Sequence, residues 1–273
     1  MPVAVLPSGI DLAYELHGIP GACPLVLLHG HGSRGSTFAD FLPLIEDQFY
    51  ILTPDLRGHG ESSKPLGSTY EETLDLYTID QFSRDICELV TNIEFPIPFV
   101  LAGHSMGGMI AQDLAVESPG MVSHLILAGT AAWWYTDGRA AMLDRLKDGS
   151  IPLDEAFFNS SVPIGLTRAF RKAHPDLVAS SVQSRLLVPR DVYIAAMENT
   201  LFRYDTRDRL PDLAIPTLIF TGDKDGIVEP ARSEELQDLI PGAKLVVVPG
   251  QNHGLFHEVP DLVAAEMKAF INC

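Results

Sequence analysis

At 273 residues, with Lys+Arg 19 against Asp+Glu 36, the chain carries a formal net charge of -17, which repels nucleic acid and anionic membrane surfaces. The length suits one large α/β domain, or a core domain with an insertion, and is enough to bury a core without disulfide or metal staples. Short apolar runs at 3–6, 12–16, 25–28, 50–53, 99–102, 125–128, 217–220 and 244–248 then read as strands. They alternate with runs of helical apolar spacing at 76–92, 109–118, 230–240 and 260–271. This alternation predicts a mostly parallel sheet flanked by crossover helices, with a hairpin ahead of the first parallel strand. Between 131 and 208 the strand pattern stops, and aromatics, prolines and helix-like pieces such as 190–202 take over. A helical cap inserted after the sixth strand is expected there, lying as a lid over the C-terminal ends of the strands. The domains are therefore drawn as a core of 1–130 and 209–273 and a cap of 131–208.

Cys23, Cys87 and Cys273 are odd in number and far apart, which suits free thiols in a reducing compartment. The start, Met1-Pro2-Val3-Ala4-Val5-Leu6-Pro7, lacks the basic and long apolar regions of a signal peptide, and no apolar run approaches about 18 residues. A soluble, cytoplasmic protein is expected.

The chemistry concentrates at Gly103-His104-Ser105-Met106-Gly107, between the strand run 99–102 and the helix run 109–118. A G-x-S-x-G at a strand-to-helix turn is a nucleophile elbow, which holds a serine hydroxyl above the sheet and needs glycine where a Cβ would meet backbone. Ser105 is the candidate nucleophile. A serine hydroxyl needs a base, and the base needs an acid to fix its tautomer. His253 follows the last strand run directly and is the candidate base. In Gly222-Asp223-Lys224-Asp225-Gly226 two carboxylates end the preceding strand; Asp225 is the chosen acid, with Asp223 as the alternative that accepts backbone hydrogen bonds in the turn. The oxyanion of an acyl-transfer intermediate needs two N–H donors, here expected from Met106 and from His31 in Leu28-His29-Gly30-His31-Gly32. The His31 side chain is either a solvated loop group or a catalytic helper. His253 and His257 also form H-x-x-x-H, but the glutamate follows the pair and no third ligand is evident, so no metal is expected.

With Asp55-Leu56-Arg57-Gly58-His59-Gly60-Glu61-Ser62 and Ile215-Pro216-Thr217-Leu218-Ile219-Phe220-Thr221-Gly222-Asp223-Lys224-Asp225, these motifs in this order resemble the α/β-hydrolase superfamily, specifically its capped, lipase-like serine hydrolases. The resemblance implies the α/β-hydrolase fold, the Ser105–His253–Asp225 triad, the oxyanion donors His31 and Met106, and cleavage of a carboxylic ester or lactone without a cofactor. The class includes carboxylesterases and enol-lactone hydrolases. Haloalkane dehalogenases and epoxide hydrolases look similar but carry aspartate where Ser105 stands. Trp133, Trp134 and Tyr135 open the cap, either as an aromatic surface for a small to medium hydrophobic or aromatic substrate or as packing between cap and core.

Three alternatives remain at this level. C–C bond hydrolysis, perhydrolysis and lyase chemistry use the same core, and a non-enzymatic receptor can keep the same triad. Gly30-His31-Gly32-Ser33-Arg34-Gly35, with Asp55 downstream, also imitates the dinucleotide fingerprint of an NAD-dependent oxidoreductase. Oligomeric state and natural substrate are not legible.

Overall fold

The computed structural model describes residues 1–271. Eight strands form one sheet in the order β1-β2-β4-β3-β5-β6-β7-β8: β1 Val3–Val5, β2 Asp11–Gly18, β3 Cys23–Leu28, β4 Phe49–Pro54, β5 Phe99–His104, β6 Val122–Ala128, β7 Thr217–Gly222 and β8 Lys244–Val248. The β1–β2 hairpin is antiparallel and β2 joins β4 antiparallel; every pairing from β4 through β3 to β8 is parallel. The inner strands are buried on both faces, as their near-continuous apolar runs require.

Alternation along these strands splits the core into two layers. Val26, Leu28, Leu101, Leu125 and Leu127 meet the apolar faces of α2 (Ile79–Asn92) and α3 (Met106–Glu117). Leu25, Leu27, Val100, Ala102, Ile126 and Phe220 meet Phe38, Phe41 and the faces of α10 (Leu255–Glu258) and α11 (Pro260–Phe270). Helix α1 (Tyr70–Asp75) precedes α2, and α9 (Pro230–Leu239) joins β7 to β8. Helices α1 and α2 start where Thr69 and Thr78 accept a hydrogen bond from the N–H three residues on.

Between β6 and β7 lie α4 (Asp137–Lys147), α5 (Glu155–Ser161), α6 (Arg168–Ala173), α7 (Pro175–Leu186) and α8 (Arg190–Met197), the last running into a π-helical turn, Glu198–Phe202. Local capping sets their starts as well: Thr136, Asp154 and Thr167 accept from Arg139, Phe157 and Phe170 N–H. Cys23 is disulfide-bonded, which corrects the expectation of a free thiol there and removes it from the argument for a reducing compartment. Cys87 is free and half-buried. Among the described residues no helix is long and apolar enough to cross a membrane.

Candidate active site

Parallel strands bring their C-terminal ends to one edge, and the expected site residues stand on the segments that leave that edge. Ser105 turns the chain from β5 into α3 with φ 55 and ψ -118, a conformation side chains rarely adopt. Its neighbours permit the turn because they lack Cβ atoms: one on Gly103 would stand 2.2 Å from the Gly107 carbonyl oxygen, and one on Gly107 2.3 Å from that of Leu28. Ser105 is pinned by its own N–H to the Ala128 carbonyl (2.9 Å) and by the Thr130 hydroxyl, which donates to the Ser105 carbonyl (2.8 Å). The Ser105 hydroxyl makes no protein hydrogen bond among the described residues.

On the neighbouring loops, His253 Nδ1 and Asp225 Oδ2 are 2.8 Å apart, both residues being buried. The other Asp225 oxygen accepts from the N–H groups of Ile227 (2.8 Å) and Val228 (2.9 Å). Burial opposes ionisation of Asp225, but the His253 imidazole and those two N–H groups outweigh it and hold the carboxyl below the usual carboxylate range. With Oδ2 of a carboxylate as acceptor, Nδ1 of His253 is the donor and Nε2 is left as the basic nitrogen. Asp223 turns away from this pair; its Oδ1 accepts from Gly250 N–H at 2.6 Å.

Two residues that the motif treats as filler tie these loops together. His104 Nε2 donates to the carbonyl of His253 (2.9 Å), with the two rings 4.7 Å apart, so the residue beside Ser105 supports the histidine loop directly. Burial drives the His104 imidazole down to about 3, leaving it a neutral strut. Asn252 accepts from both Gly226 and His253 N–H, binding the acid loop to the histidine loop. Their positions next to Ser105 and His253 were the only sequence signal for either.

Met106 is the first residue of α3, so its N–H has no acceptor within the helix. The His29–Gly32 loop approaches the elbow closely: a Cβ on Gly30 would stand 3.2 Å from that of Ser105. The His31 ring is half-buried and bonded to the helical segment. Its Nε2 donates to the Tyr193 carbonyl on α8 (2.9 Å), its ring lies 4.1 Å from that of Tyr193, and burial lowers its pKa to about 3. It fastens the loop to the helical segment as a neutral group. His257 pairs with the Thr37 hydroxyl at 3.2 Å and does not converge with His253.

The dinucleotide imitation loses its physical parts here. Gly35 opens only a short 3-10 turn, Gly35–Phe38, instead of a helix, and both Asp55 oxygens are taken, by Gly35 N–H (2.7 Å) and Glu61 N–H (2.8 Å).

A model of the alpha/beta hydrolase family matches residues 25–266. The chain belongs to the alpha/beta hydrolase family. The proline iminopeptidase PfmaB of Pestalotiopsis fici is 31% identical over 291 residues, covering 97% of both chains. A thermophilic esterase from Thermogutta terrifontis, solved with malate bound, aligns with TM-score 0.85 and 26% identity over 98% of this chain and 97% of its own. The enol-lactonase from Burkholderia xenovorans LB400 shares the fold at TM-score 0.87, with 24% identity over 98% of this chain and 99% of its own.

Within this alpha/beta hydrolase the two tryptophans of the aromatic triplet are covered by protein groups. The Trp133 ring lies between the guanidinium groups of Arg207 (4.5 Å) and Arg232 (4.6 Å). Arg139 covers Trp134 at 3.9 Å while the Trp134 indole donates to the Ile227 carbonyl, and Tyr135 is exposed. Other parts of the helical segment reach the site instead. Gly165 accepts from Gly254 N–H and sits against the His253 side chain, and Arg185 and Tyr193 crowd Gly32.

Proposed function

We propose that this hydrolase cleaves a carboxylic ester or lactone through an acyl-enzyme on Ser105. The observation that carries the reading is the buried His253–Asp225 pair, whose histidine carbonyl is bonded by His104, the residue that adjoins Ser105. In this mechanism His253 Nε2 takes the Ser105 proton as the oxygen attacks the substrate carbonyl, and the Ser105–acyl bond replaces the bond to the leaving oxygen. Asp225 holds the tautomer and stabilises the imidazolium, and the N–H groups of Met106 and His31 receive the oxyanion. His253 then hands its proton to the leaving alkoxide, activates a water by the same route, and the acid is released. Residues 131–208 act as the cap that encloses the acyl group. Trp133 and Trp134 fit the packing role better than a substrate platform, because their faces are used by arginines, whereas Tyr135 is exposed.

The iminopeptidase relative raises a second reading, hydrolysis of an amide next to an N-terminal amine. The cationic Arg185 beside the oxyanion loop disfavours a substrate ammonium. The test is turnover of p-nitrophenyl esters and lactones of graded size, alongside proline p-nitroanilide, by the wild type and Ser105→Ala. Ester or lactone turnover that falls at least about a thousandfold in the variant supports the proposal. Turnover of the anilide alone selects the peptidase, and no serine-dependent turnover of any of these substrates overturns the proposal.

A further inference from the structure

We propose that Arg185 is an anchor for a carboxylate carried on the acyl part of the substrate, so that the physiological ester or lactone is itself an acid; this rests on the hydrolase reading above. Arg185 is on α7, and its side chain crosses over the oxyanion loop: its Cγ lies 2.7 Å and its Nε 3.4 Å from where a Cβ on Gly32 would be. Gly32, at φ 68, is the residue after His31, and the absence of its Cβ is what lets the arginine approach. The guanidinium makes one backbone bond, from NH1 to the Ser181 carbonyl one turn back (2.9 Å).

What it lacks is an acid. Arg57, Arg139, Arg203 and Arg209 pair with carboxylates, whereas among the described residues the half-buried Arg34 and Arg171 do not. Among the described residues Arg185 forms no such pair, in a chain with Asp+Glu 36 against Lys+Arg 19. Its electrostatic neighbours are the Tyr193 phenol and the neutral rings of His31 and His59, and burial lowers its own pKa. A half-buried cation with no counter-charge is costly unless something supplies one, and a substrate carboxylate matches the planar guanidinium fork with two parallel hydrogen bonds.

Position decides which part of the substrate carries the acid. The leaving oxygen must face His253, which protonates it, and that imidazole lies against Gly165 and the acid loop. Arg185 lies along the oxyanion loop instead, two residues beyond Gly30, which touches Ser105. Two residues span at most about 7 Å, so an acyl chain with roughly three to five bonds between reacting carbonyl and carboxylate reaches the guanidinium.

The experiment compares mono-p-nitrophenyl glutarate with p-nitrophenyl valerate, a neutral ester of similar length, in the wild type, Arg185→Gln and Arg185→Lys. In the wild type the glutarate is expected to have the larger kcat/KM by about tenfold to a hundredfold, through KM. Arg185→Gln should collapse that ratio, and Arg185→Lys should restore part of it, since an ammonium keeps the charge but loses the fork. Equal kcat/KM for the two esters in the wild type, or a ratio unchanged in Arg185→Gln, overturns the anchor. Binding of free glutarate, followed by calorimetry, separates this from the hydrolase reading because it needs no turnover. If neither ester is hydrolysed but glutarate binds the wild type and not Arg185→Gln, the anchor stands and the ester-hydrolase reading falls. Glutarate bound equally by both proteins, or by neither, removes the anchor. Should Arg185→Gln fail to fold, the wild-type ratio and wild-type glutarate binding decide the matter.

Discussion

At Asp225 each carboxylate oxygen has a separate task, one on His253 and the other on two backbone N–H groups, while Asp223 holds the turn through Gly250 and pairs with Lys224. Asp225→Asn should therefore let His253 take the wrong tautomer and lower kcat about ten-thousandfold, as in comparable triads. Asp223→Asn keeps an acceptor oxygen for Gly250, so most activity should remain, with a stability loss of about 1 kcal/mol read from thermal unfolding. The reverse pattern would mean that Asp223 is the acid. Ser105 offers a second asymmetry, because its φ of 55 strains any side chain. Ser105→Ala and Ser105→Gly should both be inactive, but glycine releases strain worth about 1–3 kcal/mol, less the extra flexibility of its unfolded chain. The glycine variant should melt higher than the alanine variant, by a difference of about 1 kcal/mol; a glycine variant that melts below the alanine variant would show the turn to be unstrained.

At the scale of elements, the site is a set of loops tied crosswise. Asp55 clamps the loop after β3 to the turn after β4 by accepting from Gly35 and Glu61, and Gly60 has no Cβ because one would lie 1.9 Å from Asp55 Oδ2. Asp55→Asn turns one acceptor into an NH2 facing a backbone N–H, which should cost about 1–3 kcal/mol. Since the same loop carries His31, kcat should fall with it although no reacting group is changed. Denaturant unfolding and steady-state kinetics on the same preparation check both effects. The helical segment is bound to this core in the same manner, by His31 to the Tyr193 carbonyl, by Asn252 to the Ile164 carbonyl (2.8 Å) and by Asn199 to the Leu74 carbonyl (2.6 Å).

For the whole molecule, the titration of buried imidazoles sets an acid limit. Burial is the main cause that lowers His29 to about 4 and His59 to about 3, and both are inaccessible to solvent. Unfolded histidine binds a proton near pH 6.5, so between that pH and the folded values the unfolded chain holds more protons. Stability from these groups is thus fully present above about pH 6.5 and declines as pH falls, by at most about 1.4 kcal/mol per pH unit for each. Below about pH 4 the depressed carboxyl of Asp225 adds to the loss. Unfolding titrations from pH 7 to 4 should show a falling free energy with proton uptake. A flat profile would mean that these imidazoles are protonated in the folded protein.

The sheet was legible in the sequence because strand and helix periods are local: the run at 99–102 became Phe99–His104, and the run at 230–240 became Pro230–Leu239. The elbow was legible for the same reason, since Gly103, Ser105 and Gly107 meet their steric demands within one turn. What stayed hidden depends on partners distant along the chain. His31 reads as a solvated loop histidine or a catalytic helper until α8 arrives, 162 residues later, to accept its hydrogen bond at the Tyr193 carbonyl. For Trp133 and Trp134 a substrate surface and packing against the core both stay open until Arg207, Arg232 and Arg139 are found over their rings. Local sequence decides where the backbone turns and which face is apolar; which charge lies against which ring is settled only when folding packs the helical segment between β6 and β7 against loops distant along the chain.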